Sequence, residues 1–329
     1  MEQFNDQPMN KTWHYQPDVP IPVSPIMNWP PQPFEFLRWI SRYWLALGAV
    51  TIEFALAWAI ITWFHPDTEA MQTLDWQWVS QIYLRNIVLI FLAAGGLHLW
   101  FYVLNGQGKK LKFDSKDLAK DRPSFLFRDQ VRDNMFWTLA SGVTFWTLYE
   151  VGYFWASANG LTPILAFPDN PIWFIALFIL IPIWASFHFY WVHRWLHWPP
   201  LYKIAHALHH KNVNIGPWSG ISMHPVEHAI YFSSLLIHFV LPSSPEHVVF
   251  HFYVMALNPT FSHSGYEAMV TGNRRWFNAG DFFHQLHHRH FECNYGTTEM
   301  PWDVFFGSFH DGTEEATKAT RERLKAKRT

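Results

Sequence analysis

The chain has 329 residues, 50% of them hydrophobic and 19% aromatic, with 15% charged and a net charge of −2. An ordinary soluble domain carries about 25% charge, so this balance excludes a disordered chain, a coiled coil and a soluble nucleic-acid binder, and no global field recruits a polyanion. The single cysteine, Cys293, excludes an intramolecular disulfide framework and a cysteine-built metal site, whereas 20 histidines call for a chemical reason.

Residues 1–33 are polar and carry eight prolines, from Pro8 to Pro33. They cannot hold a regular helix and read as a flexible or surface-lying arm. No basic-then-apolar signal peptide opens them. Four apolar stretches follow, near residues 44–64, 86–104, 135–157 and 172–192. Each is close to the ~20 residues that cross a hydrocarbon core. Trp and Tyr gather near several ends (Trp39, Tyr43, Trp44; Trp63, Trp76, Trp78; Trp100, Tyr102), as interfacial belts do.

Lys and Arg set the expected orientation. The loop 105–133 carries eight, the arm and its flank carry Lys11, Arg38 and Arg42, and the connectors 65–77 and 158–171 carry none. Only Arg85 falls on the other side. Both termini and the 105–133 loop are therefore expected on the cytoplasmic side. Glu53 and His98 lie inside spans and read as partnered structural groups. The apolar runs 229–241 and 248–257 are too short to span and read as half-inserted or interfacial helices. The tail 313–329 reads as a solvated charged helix near anionic headgroups.

Sixteen of the 20 histidines lie between His188 and His290. Three groups have ligand spacing: His193 with His197, His206 with His209 and His210, and His284 with His287 and His288. Positions i, i+3 and i+4 share one helix face. The first pair leaves the cytoplasmic end of the fourth stretch. Eight imidazoles gathered there would repel if protonated; neutral, they are the commonest transition-metal ligands. One zinc needs three or four ligands, so eight to ten suit two metals. Nitrogen donors without thiolate suit iron, copper, nickel or zinc. His224, His228, His263 and His188 could ligate, orient a ligand or simply pack. His14, His65, His238, His247, His251 and His310 read as ordinary residues. There is no His-Glu-x-x-His, no glycine-rich phosphate loop and no Gly-x-Ser-x-Gly elbow.

The three histidine groups resemble the histidine boxes of the fatty acid hydroxylase/sterol desaturase superfamily. Their flanks resemble it too: Tyr190-Trp191-Val192-His193-Arg194, Tyr202-Lys203-Ile204-Ala205-His206, His224-Pro225, His263, Asn294-Tyr295-Gly296, Trp302-Asp303 and Phe306-Gly307-Ser308. The resemblance covers about residues 172–312. It implies a non-haem di-iron centre that uses O2 and two electrons to hydroxylate or desaturate a C–H bond of a lipid or sterol. It also implies an external donor, a ferredoxin or cytochrome with its reductase, and two Fe ions that zinc can replace on purification. The ligand set it implies is His193, His197, His206, His209, His210, His263, His284, His287, His288 and His224, with His188 and His228 as further candidates. Phe187, Trp191, Trp195, Trp198, Trp218, Phe282 and Phe283 could together line an apolar slot, while each one singly reads as a packing residue.

The sequence thus predicts an all-α integral membrane protein of about four transmembrane helices with a cytosolic histidine-rich cap. Its parts are an arm (1–33), a membrane-embedded domain (34–312) and a charged tail (313–329). Hydroxylation is the favoured reaction and C-5 sterol desaturase-type dehydrogenation the alternative. The rival of another class is a zinc-binding membrane transport or binding protein, which requires a polar path through the spans.

Overall fold

The computed structural model describes residues 7–41 and 48–326. Arg42, Tyr43, Trp44, Lys327 and Arg328 lie outside the described residues, as does the start of the first apolar stretch. The helices are α1 (Pro33–Ile40), α2 (Ala49–Trp63), α3 (Trp76–Val103), α4 (130–158), α5 (Pro171–Leu196), α6 (199–210), α7 (Pro225–Phe232, continued by a tighter run Ser233–Phe239), α8 (Pro245–Ala256), α9 (Asn258–Ser262), α10 (Phe282–His290), α11 (Trp302–Phe305) and α12 (Glu314–Ala326).

Two of them, α3 and α5, are long and apolar enough to cross a membrane. Asp75 accepts from Gln77 N at the start of α3, and Asn170 accepts from Trp173 N at the start of α5, where Pro171 supplies a fixed φ. Pro199 and Pro200 follow the end of α5, and the residue before a proline is driven out of helical geometry. At ~1.5 Å per residue both helices exceed a ~30 Å hydrocarbon core. Leu84, Val88, Leu92 and Leu99 on α3, and Ile172, Ile175 and Ile179 on α5, are exposed. A row of this kind suits lipid rather than water.

The other two expected spans come out differently. α2 holds 15 residues and starts only at Ala49. α4 is long, but Asp133, Asn134, Thr138, Ser141, Thr147 and Glu150 are buried along it. Two of these meet α3. Arg85 forms an ion pair with Glu150, and Asn86 Nδ2 donates to Glu150 Oε2 at 3.1 Å and to Thr147 Oγ1 at 3.2 Å. Arg85, expected to mark the outer side, is thus a buried partner, which a low-dielectric interior demands of a charge.

Between these helices sits α8, with Val248, Val249, Phe250, Phe252 and Tyr253 buried. It contacts α2, α5 and α4 and is a core element rather than a surface one. Its histidines, read as ordinary, are hydrogen-bonded, one to a backbone carbonyl and one to His238 of the Ser233–Phe239 run. His247 Nε2 donates to Phe174 O at 2.7 Å, His238 Nε2 lies 2.9 Å from His251 Nδ1, and His251 Nε2 lies 3.0 Å from Ser234 Oγ. Each buried polar nitrogen here meets the partner that burial requires.

The all-α expectation needs a correction. Strands β1 (Ala268–Thr271) and β2 (Arg274–Asn278) form an antiparallel hairpin. Gly272, at φ +60, makes the turn, and the Gly-Asn pair between two short runs is the local signal for it.

The described part of the arm is docked. His14 N donates to Phe113 O at 2.8 Å, Ile21 N to Asp311 O at 2.8 Å, and Gln16 Nε2 to Gly312 O at 3.2 Å. Trp13 packs edge-on against Phe282, the first residue of α10, at 4.9 Å between centroids.

Candidate metal centre

Four elements converge beneath α5. The last turn of α5 brings His193 and His197, α6 brings His206, His209 and His210, the end of α9 brings His263, and α10 brings His284, His287 and His288. They form two groups. One holds His193, His197, His206, His210 and His287; the other holds His209, His263, His284 and His288. Within each, one nitrogen per ring lies within 4.8 Å of all the others. Eight of the nine residues are buried and His197 is half-buried.

The Nδ1 atoms fix what the Nε2 atoms can do. His193 Nδ1 lies 2.7 Å from Tyr295 O, His287 Nδ1 2.6 Å from Cys293 O, and His263 Nδ1 2.9 Å from Pro259 O. His206 Nδ1 lies 2.7 Å from Glu227 Oε1. A carbonyl only accepts, so Nδ1 of His193, His287 and His263 carries the hydrogen and Nε2 presents a lone pair, and an ionised Glu227 sets His206 the same way. Those lone pairs face other imidazoles. His206 and His210 approach His197 at 3.2 and 3.1 Å, and His287 approaches His210 at 3.0 Å, Nε2 to Nε2. In the other group the separations are 3.1 Å for His263–His284, 3.1 Å for His263–His288 and 3.2 Å for His284–His288. His193 Nε2 is buried with no hydrogen-bond partner.

Converging lone pairs repel unless a cation lies among them. Imidazole nitrogens ~2.1 Å from a common metal are ~3.0 Å apart at right angles and ~3.4 Å apart in a tetrahedron. The observed separations fall in that range. The donor set and the orphaned His193 nitrogen therefore fit one transition-metal ion per group.

Three expected residues stand elsewhere. His224 caps α7, its Nδ1 accepting from Val226 N at 3.2 Å. His228 Nδ1 lies 2.8 Å from Ser141 Oγ, and His188 Nε2 lies 3.0 Å from Ser233 Oγ. None belongs to either group. The sequence reading passed over Glu227, the only carboxylate within hydrogen-bond reach of a histidine in the groups among the described residues apart from Glu292, which lies 3.5 Å from His197 Nδ1. A buried acid three residues after His224 was the available signal. The carbonyls of Cys293 and Tyr295 leave no mark in a sequence.

Beside the groups lies a cavity of about 350 Å³. His193, His206, His209, His263 and His284 line it together with Ala185, Phe189, Val192, Met223, Val254 and Met255. The expected slot of aromatics is not its wall. Phe187, Trp191, Trp195 and Trp198 point outward, and Trp218, Phe282 and Phe283 are buried in packing. Phe189, stacked on His193 at 4.8 Å, lines it together with Tyr231 and Phe261.

Burial, and then the neighbouring imidazoles, push His206, His210, His287 and His288 well below the ordinary imidazole value. Burial pushes His209 down to about 4. These rings are neutral in the metal-free fold, while the unfolded chain protonates near ~6.5. A histidine lowered by folding contributes stability that is present above that value and lost as pH falls toward the folded pKa. Metal also needs neutral rings. Bound metal and thermal stability are expected to hold above pH ~6.5 and to fall together between ~6.5 and ~4. Metal analysis after equilibration with a chelator at each pH checks this; a content flat down to pH ~4 contradicts it.

A model of the family described as fatty acid hydroxylase matches residues 178–308. A Delta(7)-sterol 5(6)-desaturase of Gibberella zeae is 31% identical over 260 residues, 74% of this chain and 77% of that protein. A Delta(7)-sterol 5(6)-desaturase of Eremothecium gossypii is 30% identical over 151 residues, 46% of this chain and 42% of that protein. One of Candida albicans is 32% identical over 142 residues, 42% of this chain and 34% of that protein. The chain thus spans less than half the length of the last two. No solved structure matches it. Three histidine groups in the family's order, long apolar helices exposing their side chains, and a relative matched over most of its length converge: the chain belongs to the fatty acid hydroxylase/sterol desaturase superfamily of membrane oxidoreductases.

Proposed function

We propose that this protein is a membrane-bound di-iron oxidoreductase that introduces a double bond into a sterol, in the manner named for its relatives as 5(6)-desaturation. The observation that carries the reading is the pair of converging lone-pair clusters beside a cavity that joins polar groups to apolar side chains such as Ala185, Val192 and Met223. Two Fe ions, one per group, would supply the activation of O2, chemistry that protein side chains do not perform alone. His193, His197, His206, His210 and His287 would hold one ion; His209, His263, His284 and His288 would hold the other.

The remaining residues orient and exclude. Glu227 holds the His206 ring in the tautomer whose Nε2 faces inward. Tyr295 and Cys293 do the same for His193 and His287 through their carbonyls. Phe189, Val192 and Met223 keep the cavity side of the centre dry and receive an apolar substrate from the bilayer. With α2 to α5 in the membrane and both termini on the cytoplasmic side, the centre would lie just beneath the headgroups, open to a lipid and to a soluble one-electron donor, a ferredoxin or cytochrome with its reductase.

Hydroxylation uses the same residues; the relatives favour desaturation. The rival reading as a zinc-binding membrane transport or binding protein is not the function named for the relatives above, and the polar groups in the spans have local partners: Arg85 pairs with Glu150, and His98 stacks on Tyr102 at 5.3 Å. Sterol extracts from cells with and without the protein, supplied with a Δ7-sterol, are expected to differ by a product two mass units lighter. A product sixteen units heavier would assign hydroxylation. No mass change with a competent donor, and tightly held zinc from iron-replete cells, would favour the rival.

A further inference from the structure

Glu53 is the acid inside α2, between Ile52 and Phe54. Its side chain is fully buried, with the Asn258 carboxamide beside it. Burying an acid in an apolar helix is costly, and inside a membrane it is a functional candidate by default. Its polar neighbours are Asn258, which opens α9, and Glu299 in the loop before α11. Both line the cavity beside the histidines. So does Asp281, which caps α10 by accepting from Phe283 N at 2.9 Å and whose surroundings include Glu299. Four elements distant in sequence thus bring three carboxyls and one carboxamide close together, and Asn258, Asp281 and Glu299 share the cavity wall with His263 and His284.

We infer that this carboxyl–amide cluster seats the hydroxyl of the substrate, so that a sterol enters with its hydroxyl-bearing ring against Asn258 and Glu299 and presents the adjoining ring to the metal groups. The inference rests on the sterol reading above and goes beyond it by naming the residues that set the orientation. The chemistry matches on three counts. A hydroxyl is both donor and acceptor, and carboxyl and amide groups answer both. A sterol carries one such polar group on an otherwise apolar body, and the cavity joins these polar groups to apolar walls such as Val50, Ala185 and Val192. The 5(6) bond lies in the ring next to the one that bears the hydroxyl, so a hydroxyl held beside His263 and His284 brings that bond to the centre.

The test is equilibrium binding without turnover. Metal-loaded protein in lipid nanodiscs, kept anaerobic and without electron donor, is titrated with a Δ7-sterol and with its 3-deoxy analogue. The wild type is expected to bind the hydroxysterol roughly 10- to 100-fold more tightly, the range of one hydrogen bond to a charged group. Asn258→Ala and Glu299→Ala are expected to lose most of that discrimination while binding the deoxy analogue as the wild type does and keeping their metal. Equal affinity of the wild type for both sterols, undiminished discrimination in both variants, or loss of metal from both would overturn the inference. Failure of the wild type to bind either sterol would refute the sterol reading itself, and this inference with it.

Discussion

Replacing His287 by alanine is expected to remove about one of two bound metal equivalents and to lower turnover by more than roughly 100-fold, above the 10- to 100-fold typical of losing a residue that only orients a ligand. His287 is fully buried, its Nδ1 is committed to Cys293 O at 2.6 Å, and its Nε2 lies 3.0 Å from that of His210. Two of the other imidazoles of the group are themselves fixed in place, His206 by Glu227 and His193 by Tyr295 O. The same change at His209 empties the other group. His290→Ala is the control: this ring stacks on His310 at 5.0 Å, outside both groups, and its loss should leave metal content unchanged. Elemental analysis with turnover of the purified variants decides the matter. Two metals and full turnover in His287→Ala would sink the assignment.

The second large effect is expected at a residue that touches no histidine of the groups. Asp303 is 1% exposed. It accepts from Tyr295 N at 2.8 Å, Gly296 N at 2.7 Å and Ser308 Oγ at 2.6 Å. Those bonds shape the loop whose Tyr295 carbonyl orients His193. Asp303→Ala would leave two buried amides unpaired and is expected to cost about 3 kcal/mol of stability. Metal affinity at the group containing His193 should fall roughly 10- to 100-fold. Asp303→Asn keeps one oxygen and should lose distinctly less. Thermal unfolding in detergent together with metal titration measures both, and an Asp303→Ala protein that melts and binds metal like the wild type would show that the loop holds its shape without the carboxylate.

The histidine spacing was legible because the helix forces it: residues three and four apart share a face, so each box announces convergent side chains. Which imidazole joins which group was not. His209 and His210 belong to different groups, as do His287 and His288, because adjacent residues on a helix point ~100° apart. Each His-His pair therefore serves both groups, a division that only the meeting of α6 with α10 settles. His263 could be named but not weighed, since it comes from the five-residue α9, where no periodicity exists to read. The spans show the same limit. α3 and α5 were plain because apolar residues run through them, whereas the ion pair and the hydroxyls buried along α4 leave no mark in a hydropathy profile. The docking of the arm depends on Trp13 finding Phe282, a contact across most of the chain that no local pattern encodes.

That contact has a consequence for biosynthesis. Gln16 and Ile21 hydrogen-bond to Gly312 and Asp311, so this segment finds its partners only long after its own synthesis. The carbonyls of Cys293 and Tyr295 likewise emerge after every one of the nine converging imidazoles. A nascent chain halted at residue 290 would own a full set of donors and lack the groups that aim two of them. Orienting both of these rings thus waits on the segment that follows residue 290.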